Sequence, residues 1–449
     1  MAAVKMVSHL VLGAMLLSWV TLVHVTCPEG FPQTTCPEGC PGQDCPEGCL
    51  QPTCPEGRPQ AVCPKGCECL EGTRIVNCSR LGLTSVPSGI PTNVQQLILE
   101  HNNIARVSKE DFANLTSVES IDLSDNKLNS QSIAAGTFDD LPSLGTLDLS
   151  YNKNLDDFPA YLPSNLTYLY FISNSAVHVS ADAFANLTEI VHLDFSDNKV
   201  ETIAPGAFRN QQKLQVLYCD FNKLKDDGIP PSVYKPAKKL QNLGLRFNQL
   251  TRVPVDLPVG LQALDLVGNH IIELPSKAFL NLTELQSLAF WEQPSLTTID
   301  DNAFYGLSKM QGMDASSTGI NKITNGTFNG LSGMGELVLG ECKIPDIPVG
   351  AFHQMKSLAT LWLDGNLLKT LDPGVLDRRF LSHLSEVYLW GNPWTCDCHL
   401  RWLKEHIDSN NTAPTVDSPH VMTCNAPTKL KGRAWDTLTA EEFVCGMDI

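Results

Sequence analysis

One frame recurs thirteen times along the middle of the chain and restricts its fold more than any other feature. The stretch LQALDLVGNHI, from Leu261, shows it: Leu-x-x-Leu-x-Leu-x-x-Asn-x-Ile. The frame begins at Val94, Val118, Leu144, Leu166, Ile190, Leu214, Leu240, Leu261, Leu285, Met310, Met334, Leu358 and Leu384, at spacings of 21 to 26 residues. A period of this length marks a chain made by stacking one small unit on the next. The Leu-x-Leu alternation suits a short strand with two side chains turned inward. No unit can bury those side chains alone, so stacking creates one long shared core.

The Asn of the frame recurs as Asn102, Asn126, Asn152, Asn174, Asn198, Asn222, Asn248, Asn269, Asn366 and Asn392. An inward Asn must satisfy its amide, and neighbouring backbone offers the partners. Phe112, Phe138, Phe184, Phe208, Phe279, Phe304, Phe328 and Phe352 recur in AF-x-N-L-like segments and form a second core column. Cys219 replaces a strand leucine and Cys342 a ladder Asn, so both are expected as buried thiols acting as small hydrophobes. The pattern predicts an α/β, mostly β, leucine-rich repeat solenoid. Its shape is a curved horseshoe with a parallel sheet on the concave face and disulfide caps at both ends.

The ends differ from the middle. Fourteen of the sixteen cysteines lie within 27–78 and 396–445. Residues 1–26 read as a secretory leader, with Lys5 before the apolar run Leu10–Val25. A secreted, soluble chain without membrane insertion is therefore expected, in a compartment where disulfides persist. Residues 27–62 are a Cys/Pro/Gly-rich nonapeptide array, in which Cys27, Cys36, Cys45 and Cys54 are each followed by Pro-Glu-Gly. Its six cysteines allow a disulfide-stapled stalk or cross-links that produce a disulfide-linked oligomer; a non-covalent oligomer is also open. An N-terminal cysteine cap follows at 63–93, then the solenoid at 94–391 and a C-terminal cysteine cap with its tail at 392–449. The formal net charge of −17 argues against nucleic acid and anionic membrane as partners.

The spacing Cys63-x3-Cys67-x-Cys69-x8-Cys78 and the stretch NPWTCDCHLRWL resemble the caps of extracellular leucine-rich repeat proteins of the Slit and Nogo-receptor type. That resemblance implies the pairs Cys63–Cys69, Cys67–Cys78, Cys396–Cys424 and Cys398–Cys445. The short proline-rich units FPAYLPSNLTYL and VPVDLPVGLQAL look like the short repeat of small leucine-rich proteoglycans of the lumican and chondroadherin kind. The resemblance runs from Cys63 to Cys445 and implies a protein-binding role in the extracellular matrix. The same repeats and caps occur in lamprey variable lymphocyte receptors and Toll-like receptor ectodomains, which supports the alternative of a soluble recognition or signalling protein.

Residues between and after the strand leucines face the sheet surface. There Asp122, Asp148, Asp194, Asp265 and Asp314 hold one position of five units, flanked by Asp125, Asp197, Asp220, Glu292, Glu341 and Asp364. Two aromatic groups are candidate ligand contacts: Tyr151, Tyr168, Tyr170, Tyr218, Phe221 and Phe247 with Arg246 and Asp220, and then Trp362, Tyr388 and Trp390. Sequons at Asn114, Asn165, Asn186, Asn281, Asn325 and Asn410 predict glycosylation, which leaves the concave face free. No catalytic motif is present, and neither an enzyme, a cofactor nor a metal is expected. The expected partner is an extracellular protein: collagen, another matrix protein or a receptor ectodomain.

Overall fold

The computed structural model describes residues 63–70, 72–409 and 413–446. The expected leader, the nonapeptide array and the Asn410 sequon lie outside the described residues. A sixteen-stranded sheet runs through the described unit. Its first pair, Glu68–Leu70 with Ile75–Asn77, is antiparallel, and from Ile75–Asn77 onward the order is parallel. Thirteen of the strands begin two residues into the sequence frame, from Gln96–Ile98 to Glu386–Tyr388. Each has a buried centre, and these centres pair in register from Leu97 through Ile121, Leu147, Leu169 and Leu193 to Val387. The register cannot slip by one residue without turning every leucine outward.

Most turns are fixed by a side-chain amide. The Oδ1 of Asn248 accepts from the Leu224 N–H at 3.0 Å, in the unit before. Its Nδ2 donates to the carbonyls of Cys219, Leu245 and Arg246 at 3.0, 3.2 and 3.1 Å. Most rungs repeat this arrangement. Gln293 substitutes with a longer side chain and keeps the same kinds of contact. Thr318 and Cys342 supply less: the Cys342 thiol donates to Ala315 and Gly340 carbonyls at 3.3 and 3.6 Å. Cys342 and Cys219 are both buried free thiols.

Behind the sheet the phenylalanines stack in runs. Phe304 lies between Phe279 and Phe328, with ring centroids 5.8 and 6.4 Å away. Tyr234 continues the column from Phe208 at 5.7 Å. The first proline-rich short unit interrupts it, and Phe158 bridges there from Phe171 to Phe184. Both ends are stapled: disulfides join Cys63–Cys69, Cys67–Cys78, Cys396–Cys424 and Cys398–Cys445, the pairs implied by the cap resemblance. The C-terminal cap adds the helix Arg401–Asp408 and seals the core with buried Trp394, Trp435 and Phe443.

Because the ladder satisfies buried backbone, an Asn248→Ala change should cost on the order of 3 kcal/mol by leaving an N–H and carbonyls unpaired. Cys342→Asn should do the reverse and raise the melting temperature, since the site already has the carbonyls that an amide would bond. Calorimetry of both variants checks this; a Cys342→Asn chain that melts below the parent would contradict the ladder account.

Candidate functional site

In every unit the strand turns its first and third residues to the sheet face, and the chain then passes through two further positions before the ladder residue, the first of them buried in several units, as at Ser150, Val267 and Asp364. The second of these positions adopts a left-handed backbone throughout: His101, Asp125, Tyr151, Ser173, Asp197, Phe221, Phe247, Gly268, Glu292, Ser317, Glu341, Gly365 and Gly391 all have positive φ. Most are residue types that tolerate or mildly accept this region. Tyr151, Phe221 and Phe247 are bulky, and such a conformation costs about 1–3 kcal/mol.

The first aromatic group is assembled by register. Tyr168 and Tyr170 flank Leu169 on one strand, and Tyr168 pairs with His192 on the next. His192 was not singled out by sequence reasoning, yet three tyrosines surround it: Tyr170 at 5.1 Å, Tyr218 at 5.6 Å and Tyr168 at 6.0 Å between ring centroids. It is 6% exposed and its Nε2 has no hydrogen-bond partner among the described residues. Burial lowers its pKa to about 4, so the ring is neutral at pH 7. Tyr168 is 41% exposed at the top of this cluster. Tyr151, 52% exposed, stands at its margin and has no ring partner among the described residues.

The other half of this surface is built around Arg246. Phe221 and Phe247 stack at 4.6 Å with planes 17° apart, and Phe221 is 50% exposed. The Phe247 ring lies over Gly268, where a Cβ would come within 2.4 Å of it. Asp220 Oδ1 accepts from the Arg246 N–H at 2.8 Å. The Arg246 side chain is itself engaged: its Nε is 3.4 Å from Asp265 Oδ2, and its guanidinium lies 5.8 Å from the Trp291 ring centroid. Arg246, an expected ligand contact, thus already faces an internal carboxylate, while its Nε makes no hydrogen bond among the described residues. Trp291 escaped the sequence reading although it occupies the same frame position as Trp390.

The aspartates have a backbone duty. The Oδ1 of Asp122, Asp148, Asp194, Asp265 and Asp314 each accepts from the N–H two residues later, at 2.8 to 3.1 Å, and shapes the turn after the strand. The group Trp362, Tyr388 and Trp390 lies further along. Trp362 and Tyr388 are parallel, 3.4 Å apart and 5° from coplanar. Glu336 accepts from Trp362 Nε1 at 3.2 Å, and Glu386 hydrogen-bonds Tyr388. Six strand steps separate the Tyr218 strand from the Trp362 strand, roughly 29 Å at about 4.8 Å per step. Between them the strands Ser287–Ala289 and Gly312–Asp314 show small side chains and an aspartate. The candidate residues thus form two patches rather than one site.

Elsewhere, Asn114, Asn186, Asn281 and Asn325 are exposed. Asn165 differs: its Nδ2 donates to the carbonyls of Leu141, Pro142 and Leu144, a structural role that competes with the glycosylation expected there. The metal-like grouping among the described residues is Cys398, His399 and Cys445, whose two sulfurs are joined to each other. No helix among the described residues is long and apolar enough to cross a membrane.

Comparison with known proteins gives consistent matches. The family described as "Leucine rich repeat" matches residues 92–153 and 164–224. A "BspA type Leucine rich repeat region" matches 261–373, and a "Leucine rich repeat N-terminal domain" matches 62–91. Osteomodulin of Bos taurus is 28% identical over 316 residues, 69% of this chain and 61% of its own length. Podocan of Mus musculus is 27% identical over 322 residues, covering 71% and 48%. Trophoblast glycoprotein of Macaca fascicularis is 25% identical over 394 residues, covering 84% and 66%. The chain therefore spans between about half and two thirds of these relatives. Among solved structures, the complex of TLR13 with ssRNA13 superposes with a TM-score of 0.65 at 22% identity, covering 77% of this chain and 53% of that one, a likeness of fold alone. The octameric complex of Latrophilin 3, Unc5D and FLRT2 superposes at 0.55 with 26% identity, covering 84% and 98%.

The acidic face gives a pH signature. Burial, the largest influence, raises Asp220 to about 8, with repulsion from Asp265 added, and raises Asp148 and Asp265 to about 6. Each such carboxyl binds its proton more tightly folded than unfolded. Its contribution to stability is complete below its ordinary value of 3.8 and is lost as pH rises through 6 to 8. His192 runs oppositely: its contribution is present above 6.5 and lost as pH falls through about 4. Asp220→Asn keeps the acceptor for Arg246 but cannot ionise. Its melting temperature should exceed the parent's at pH 8.5, with the gap closing towards pH 4. A gap that stays constant across this range would show that Asp220 titrates normally.

Proposed function

This chain is a leucine-rich repeat protein capped by a leucine-rich repeat N-terminal domain, and on that premise we propose that it is a secreted, non-enzymatic adaptor of the extracellular matrix that binds collagen or another matrix protein through its sheet face. The observation that carries the reading is the continuous surface from Thr146–Asp148 to Ala263–Asp265, where Tyr151, Tyr168 and Phe221 project from an acidic, partly desolvated floor. Exposed aromatics fixed by their neighbours are the side chains that most often dominate protein interfaces. The backbone strain accepted at Phe221 and Phe247 favours the same reading, because folding alone would be better served by Gly, Asn or Asp there. The surface is long and open rather than pocketed, which suits a rod such as a collagen triple helix. Relatives of the small leucine-rich proteoglycan type, osteomodulin and podocan, support the matrix setting. Disulfide caps and exposed sequons suit a secreted chain.

A second reading, recognition of a receptor ectodomain, is favoured by the likeness to FLRT2, a repeat chain that assembles with Latrophilin 3 and Unc5D.

Cosedimentation with collagen fibrils at low and physiological salt separates the two. Saturable binding is expected, weaker at higher salt because the acidic face attracts basic groups. A Tyr168→Ala/Phe221→Ala chain should bind at least tenfold more weakly, since each lost anchor costs about 1–2 kcal/mol. Absence of binding at either salt would discard collagen and leave the receptor reading.

A further inference from the structure

The two aromatic patches share a composition but differ in charge. In the first, the chain provides its own cation. Arg246 lies against the carboxylate of Asp265 and over the indole of Trp291, contributed by the next two units. In the second, a carboxylate and indoles are again brought together by register. Asp364 and Trp390 occupy equivalent positions of adjacent units, beside the stacked pair Trp362 and Tyr388. Here the surrounding charges are all negative: Glu341 and Asp314 both act on Asp364 to disfavour its ionisation. No Lys or Arg among the described residues forms an ion pair with it.

Asp364 is also an expensive residue to keep. It is 4% exposed, and its Oδ1 has no hydrogen-bond partner among the described residues. A desolvated carboxylate without a positive partner opposes folding, because nothing repays the water it has lost. Its bed is kept clear by Gly340, where a Cβ would be 2.8 Å from Oδ1. The turn does not need this carboxylate, since most other units place Ser, Gly, Val, Ile or Trp at its position. The aromatic pair beside it is held in place from below, with Glu336 fixing the Trp362 indole and Glu386 the Tyr388 phenol.

We propose that Asp364 with Trp362, Tyr388 and Trp390 forms a guanidinium-recognition subsite, which takes an arginine side chain of the extracellular protein partner. The geometry around Arg246 shows how such a group is placed in this fold: its charge near a carboxylate, its guanidinium carbon over an indole. Arginine fits better than lysine because a planar, weakly hydrated cation stacks on indole and still donates to a carboxylate. This inference rests on the sheet face being the binding face, and it assigns the partner's chemistry at the end of that face.

The test uses the full chain and small probes, with no matrix protein present. N-acetyl-arginine amide is titrated while tryptophan fluorescence is followed, beside N-acetyl-citrulline amide, which has the same shape without the charge. Arginine amide should give a saturable change, with citrulline amide at least tenfold weaker. Asp364→Asn should lose at least tenfold in arginine affinity without a fall in melting temperature, and Trp390→Phe should retain most of it. Tyr161→Ala, an exposed residue outside both patches, should leave it unchanged. Equal binding of the two probes, or an Asp364→Asn chain that binds arginine amide like the parent, would overturn the subsite. A negative result with collagen fibrils would leave these titrations unaffected, so the two ideas fail separately.

Discussion

The molecule is organised by one buried hydrogen-bond arrangement, the ladder of side-chain amides at the end of each strand. An amide here accepts from one unit and donates to carbonyls of its own and the preceding unit, as Asn152 does towards Leu123, Leu149 and Ser150. Turns that would otherwise bury unpaired backbone are satisfied in this way. The position immediately before the ladder must then turn through a left-handed conformation, and this happens in all thirteen units. The columns of the sheet face stay aligned because each turn is forced to the same shape. The rungs without Asn are Gln293, Thr318 and Cys342, which are consecutive. They lie under the stretch that separates the two aromatic patches, where the face itself carries small residues.

Against that uniform background, departures from the cheapest residue are informative. Asp, Ser and Gly fill most left-handed positions, as local preference dictates. At Phe221 and Phe247 the chain places aromatics instead, and stacking of the pair returns about 0.5–1.5 kcal/mol of the conformational cost. Gly268 in the next unit then accommodates the ring of Phe247. Two successive units have thus departed together from the simplest solution, and the glycine of the third makes room for them, at the surface and away from the core. A conflict between local preference and placement, supported by neighbouring residues, is the usual mark of a functional surface.

Most of the architecture was legible because its signal repeats. Strand positions, the buried leucines and the ladder follow from one frame, and errors at any unit would be exposed by the other twelve. The cap disulfides were carried by resemblance, since spacing alone leaves their connectivity open. The site was less legible for a specific reason. Contacts on the face join residues about 24 positions apart, so Tyr168, His192 and Tyr218 look unrelated along the chain. Aligning the frames would have revealed His192, and would also have shown Trp291 at the position of Trp390. Burial and pairing were not readable in the same way. Arg246 looks like an exposed cation in sequence, but is already engaged by Asp265 and Trp291. The aspartates look like solubilising charges, yet their first partner is the N–H two residues on.

The distribution of charge completes the account of the face. Elsewhere on the solenoid, cations are commonly matched across adjacent units, as in Arg209 with Asp182, Lys309 with Glu284 and Lys109 with Asp140. Exposed pairs of this kind add little stability, with a median of about 0–1 kcal/mol each. Their effect is to cancel field locally. The strand column Asp122, Asp148, Asp194, Asp265 and Asp314 has much less compensation, with Arg246 its nearby cation at Asp265. The net charge of −17 is therefore expressed unevenly. Carboxylates aligned along one partly desolvated surface reinforce one another, and such a field selects basic partners and speeds their approach before any contact forms. Under the proposed function, aromatic side chains supply the short-range contacts, and the acidic column and the two patches have separate tasks.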